Sequence, residues 1–115
     1  MTINEAIARV DDLRDNTIAP NIKIACLQMV DQQVYHEIIK GRVGADAVTL
    51  PDYSDENGER VLLVPPPYDM LYVYRLEAEI GYKQQEIDRQ ANALTRYNEL
   101  MDAFARTYAR EHKAL

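Results

Sequence analysis

Residues 61–69 read VLLVPPPYD, and the three consecutive prolines constrain the chain more than any other feature. A residue that precedes proline is pushed out of the helical region, so Val64, Pro65 and Pro66 must be extended or polyproline-like. Pro67 can take the first position of a helix, where a missing N–H costs nothing. Asp69 then falls in the first turn, where a carboxylate meets the positive end of the helix dipole. The segment predicts a rigid exit from an apolar, strand-like stretch into a helix over about 67–83.

The chain before this junction is helical in pattern. Thr2 followed by Glu5 fits a capping box. Ile3, Ile7, Val10 and Leu13 recur at helical spacing, predicting a first helix over about 3–15, which Asn16 and Pro20 break. Ile24, Leu27, Val30, Val34 and Ile38 mark one face of a second helix over about 21–40, with Gly41 as its carboxyl-terminal cap. From Arg42 to Val64 the pattern changes. AVTLPDY and ERVLLV flank SDENG, which predicts a small β-hairpin or an extended loop between the second and third helices. Asn57–Gly58 is a turn signal, Pro51 confines its strand to an edge, and a tight turn would oppose Glu56 and Glu59, so a longer loop fits better.

Beyond the third helix, Gly81 and YKQQE predict a break, and a fourth helix follows over about 85–112. Ile87, Leu94, Met101 and Tyr108 lie seven apart, flanked by Ala91, Tyr97, Phe104 and Ala105, a heptad-like seam for another helix, either the second or third of the same chain or one from another protein chain. The fold class expected is mostly α, with four helices in one domain over residues 1–115. At that length the chain supports one core and not two.

Composition excludes several function classes. With 47% apolar and 28% charged residues the chain matches a globular protein. The longest apolar run, Val61–Tyr68, is far too short to span a bilayer, and MTINEAIARVDD has no apolar signal core. Cys26, the single cysteine, sits in IACLQMV and is expected as a buried thiol, with synthesis inside the cell. Acids outnumber bases by 19 to 13, giving a net charge of −6, which opposes tight binding to duplex phosphates. Residues 42–64 hold five acids and two bases, a locally acidic patch.

No catalytic constellation is legible. HEIIK places Lys40 where a zinc site needs a second histidine, and His112 is the only other one. His36 and Glu37 diverge by about 100° on a helix. KGRVGAD lacks the Walker spacing, and Ser54, the lone serine, has no histidine near it in sequence. The adjacent pairs Asp11–Asp12 and Asp55–Glu56 read as solvated charge. Neither an enzyme nor a cofactor or metal site is expected.

Tyrosine is the anomaly: eight, against one phenylalanine and no tryptophan. Tyr68, Tyr72 and Tyr74 crowd the start of the third helix, and Tyr82, Tyr97 and Tyr108 follow. A ring that buries its body while its hydroxyl stays wet suits both core edges and interface rims, and collectively these favour an interface.

The run VLLVPPPYDMLYVYRLEAEIGY and the closing FARTYAREHK resemble the head–tail connector (adaptor) proteins of long-tailed bacteriophages. The matching positions are Leu63, Val64, Pro65, Pro66, Pro67, Tyr68, Asp69, Leu71, Tyr72 and Tyr74, with Tyr108, Arg110, His112 and Lys113 at the end. YKQQEID departs from the family's turn between its last two helices. The resemblance implies a protein made in the host cytoplasm and placed in the virion neck. There it forms a ring of about twelve copies beneath the portal, extends the DNA channel without binding DNA specifically, and docks a tail-side or stopper protein. It implies subunit or portal contacts by Tyr68, Tyr72, Tyr74, Arg106, Tyr108, Arg110 and Lys113. Asp46, Asp52, Asp55, Glu56 and Glu59 would then line the channel or a neighbour, where acidity repels phosphate. A rival reading is a small antitoxin-like regulatory module that dimerises through its last helix.

Overall fold

The computed structural model describes residues 1–49, 53 and 58–115. Four helices carry the fold: α1 (Ile3–Leu13), α2 (Pro20–Val34), α3 (Met70–Lys83) and α4 (Ile87–Glu111). The described residues contain no sheet, so the chain is mostly α, as its periodicity predicts.

Helix α1 starts at the capping box. The Thr2 hydroxyl accepts from the Glu5 N–H at 3.1 Å, and the Thr2 N–H donates to the Glu5 carboxylate at 3.2 Å. The Thr2 N–H, with the Thr2 hydroxyl beside it, holds the Glu5 carboxyl below its usual range. Ile3, Ala6 and Val10 are buried, while Leu13, expected on the same face, is 57% exposed. The helix ends there because Arg14 turns away to reach Glu86 at 2.8 Å and Gln84 at 3.2 Å. Helix α2 opens on Pro20 and buries Cys26, Leu27, Val30 and Val34. Its buried Lys23 donates to Asp11 at 2.8 Å, tying α2 to α1. Burial pushes the Cys26 thiol above its ordinary value, which keeps it protonated. The helix expected to run to residue 40 changes at Val34 into a wider π turn, Tyr35–Ile39, and Gly41 then takes the left-handed φ of +87°.

Between α2 and α3 the described residues form an extended loop with one 3₁₀ turn, Ala45–Ala47. Its two isolated bridges run to the ends of the chain, Thr2 with Val61 and Arg42 with Ala114. Val61 thus pairs with the entry to α1. Most of the expected turn, including Asn57, lies outside the described residues.

Helix α3 begins three residues later than the proline pattern predicts. Pro67 is not its first residue, because Pro65–Tyr68 closes a turn of its own, with the Tyr68 N–H bonded to the Pro65 carbonyl at 3.1 Å. A second turn through Tyr68 and Asp69 then leads into Met70. Asp69 sits at the N-cap without capping through its side chain. Gly81 does not break the helix: it is buried inside α3, and a Cβ there would lie 3.0 Å from the backbone nitrogen of Gln90 in α4. Glycine at 81 therefore sets how closely the two helices approach. The break falls at Gln84–Glu86, where Gln85 adopts a φ of +60°.

Helices α3 and α4 form the most extensive pair in the fold. The buried stripe of α4 is Ala93, Tyr97 and Phe104, with Leu100, Met101 and Tyr108 packed beside it. The heptad expected from Ile87 holds at Met101 and Tyr108 but fails at its first member, since Ile87 is 76% exposed. An α-helix that does not supercoil drifts from a strict seven-residue repeat, so the contact line follows 93, 97, 100/101, 104 and 108. Phe104→Ala is expected to lower unfolding stability by about 3–5 kcal/mol, whereas Ile87→Ala should stay within about 0.5 kcal/mol of the parent. Gly81→Ala should cost about 1–3 kcal/mol by forcing α4 away. Urea denaturation of the three variants checks all of these, and equal losses at 87 and 104 would restore the heptad register.

A candidate assembly groove and its buried support

The prolines and the end of α4 meet in space. Leu63, Pro65, Pro66 and Pro67 form one wall of an open groove of about 480 Å³, and Phe104, Thr107, Tyr108 and His112 form the other. Ile39, Val48 and Glu111 complete the lining. The aromatic wall is a ladder along α4: Tyr68 to Phe104 at 5.9 Å, Phe104 to Tyr108 at 5.7 Å, and Tyr108 stacked on His112 at 3.9 Å with planes 10° apart. Residues four apart on a helix share a face, which aligns the last three rings. The Tyr68 hydroxyl shares a 2.9 Å hydrogen bond with Thr107 across the groove. Chemically this is an apolar, aromatic slot with few polar groups, suited to seat apolar protein surface.

Beneath the proline wall lies a buried carboxylate. Asp31, on α2 between Leu27 and Val34, has 0% exposure. It accepts hydrogen bonds from the Tyr72 hydroxyl on α3, from the Tyr53 hydroxyl in the loop and, at 3.1 Å, from the Leu63 N–H. The Tyr72 oxygen in turn accepts from the Val64 N–H at 2.8 Å. Burial, only partly offset by the three donors, raises the Asp31 carboxyl above its ordinary range. Burial and the adjoining Asp31 charge push both tyrosine hydroxyls strongly upward, so they remain protonated donors. The Arg60 guanidinium lies 5.2 Å over the Tyr53 ring.

The expected contact residues separate into groups. Tyr68 and Tyr108 line the groove. Tyr72 does not belong to a surface: it is wholly buried, and its placement in an interface is corrected to one in the core, because its hydroxyl is needed by Asp31. Tyr74 is half-buried on another side of the molecule, 5.7 Å from the guanidinium of Arg96. Arg106, Arg110 and Lys113 are exposed at the end of α4, where Arg42 and Val43 clasp the same end through the carbonyls of His112 and Lys113. Asp46 and Glu59 are exposed, the latter accepting from Asn4 at 3.2 Å. Asp52, Asp55 and Glu56 lie outside the described residues. His36 is exposed, and no group of three or more metal-ligating side chains gathers among the described residues. None of the helices described is long and apolar enough to cross a membrane.

Sequence reasoning missed Asp31 and Tyr53. The available signal was position: residue 31 falls four after Leu27 and three before Val34, on the apolar face of its helix. Comparison with family models, curated proteins and solved structures finds no match for the chain.

The raised Asp31 carboxyl has a definite consequence for stability. Its proton is held more tightly in the folded than in the unfolded chain, so stability from this group is full below the unfolded value and is lost as pH rises through the folded one. As pH falls from about 8 towards the ordinary carboxylate range of about 4, the parent should gain stability relative to Asp31→Asn. Urea denaturation across that range reads the difference, and a gap that closes on acidification would reverse the sign.

Proposed function

We propose that the chain is a structural component of a bacteriophage neck, a head–tail connector that works by assembly and not by catalysis. One observation carries the reading. The two stretches that hold the resemblance, 63–74 and 108–113, are far apart in sequence, yet Leu63, Pro65–Tyr68, Tyr108 and His112 meet in one groove. A motif kept for the fold alone would place its prolines against the core, whereas Pro65, Pro66 and Pro67 are exposed. In this reading the groove seats a neighbouring subunit or the portal, and ring closure uses a heterologous contact in which one face meets a different face of the next copy. The exposed Arg106, Arg110 and Lys113 supply a polar rim at the end of α4, and an acidic channel side would repel DNA. The rival dimer through the last helix loses its main surface, because α3 of the same chain covers the apolar stripe of α4.

Native mass spectrometry tests the proposal, with the purified chain alone and mixed with the portal ring of the same phage. The expected result is a portal-bound assembly carrying about twelve copies. Thr107→Arg, which fills the groove from its α4 wall, should keep the helical circular dichroism and lose that assembly. An unchanged portal mass, with the chain remaining monomeric or dimeric, would overturn it.

A further inference from the structure

The stretch Leu62–Tyr68 is held in an unusual way. Pro65, Pro66 and Pro67 have no N–H to donate. The Leu62 N–H bonds to the Met1 carbonyl at 2.9 Å and the Tyr68 N–H to the local Pro65 carbonyl. Between them the only backbone donors are Leu63 and Val64, and neither enters a ladder. Leu63 donates directly to Asp31. Val64 donates to the Tyr72 oxygen, whose own hydrogen is committed to Asp31. Tyr53, from the loop, donates to the same carboxylate oxygen as Leu63. Every backbone donor of the inner groove wall thus ends, directly or one hydroxyl away, on one side chain.

We propose that Asp31 is a latch: Tyr53, Leu63 and Val64 are seated as one unit on its carboxylate, and releasing it dismantles the proline wall of the groove while the four helices persist. The separation follows from the bonding. Helices α3 and α4 satisfy their own backbones and pack through Leu76, Ile80, Tyr97 and Phe104, none of which touches the latch by hydrogen bond. A buried carboxylate with several donors behaves cooperatively, since loss of one leaves the others facing an under-satisfied charge. The groove is thereby linked to Tyr53, so a contact that displaces Tyr53 alters the wall on which a partner would sit. The inference concerns the chain by itself and holds whether or not the groove seats a neighbour.

Native-state hydrogen exchange on the full chain tests it, by following the Leu63 and Val64 amides beside those of α3 and α4. In Tyr53→Phe, which keeps the ring and removes one donor, the Leu63 and Val64 amides should exchange at least about tenfold faster, with Leu76 and Tyr97 at parent rates. Asp31→Asn should accelerate the same two amides further. If Asp31→Asn does not fold, Tyr53→Phe alone decides. Parent rates at 63 and 64 in Tyr53→Phe, or equal acceleration throughout the helices, would overturn the latch.

Discussion

A carboxylate taken out of water is tolerated only where donors replace its hydration, and Asp31 meets that condition with three donors from separate parts of the chain. The geometry of this site determines much else. Helix α2 must present its apolar face at the register that brings residue 31 to the junction. Helix α3 must start close enough for Tyr72 to reach it, which fixes the distance the prolines have to span. The backbone at Leu63 and Val64 must lie flat against both helices, because no neighbouring strand receives its N–H groups. The exposed prolines are then displayed on the far side of that backbone, opposite the aromatic end of α4.

The opposite end of the helix pair is set by sterics instead of polarity. Gly81 lets α3 and α4 come into close backbone approach near their connection, and further along α4 the rings of Tyr97 and Phe104 are buried. Close at one end and filled with rings at the other, the pair leaves Tyr108 and His112 half-buried at the edge of the core, where they form the aromatic wall. Core and groove are therefore consecutive parts of one stripe on α4, and a change at Phe104 affects both.

Much of this was legible in the sequence. The capping box at Thr2 and Glu5, the four helices and the buried Cys26 follow from spacing and local chemistry alone. Three features were not. The start of α3 depends on a turn closed by Pro65, a choice among extended conformations that proline restricts without deciding. Gly81 reads equally well as a breaker or as a point of close approach, and only the partner helix distinguishes these. The heptad of Ile87, Leu94, Met101 and Tyr108 holds at its last two members and fails at Ile87, because a strict seven-residue repeat and a 3.6-residue turn drift apart over 25 residues of helix. Asp31 was hidden for a further reason: an acid on an apolar helix face has meaning only once the hydroxyls that surround it are known, and Tyr53 and Tyr72 come from 22 and 41 residues away.

The central claim is that the Asp31–Tyr72 contact is an energetic bond between helices and not a mere proximity. A double-mutant cycle between Asp31→Asn and Tyr72→Phe, read by urea unfolding at neutral pH, measures it most directly. The account predicts a coupling of about 1–3 kcal/mol, whereas losses that add to within about 0.5 kcal/mol would contradict it.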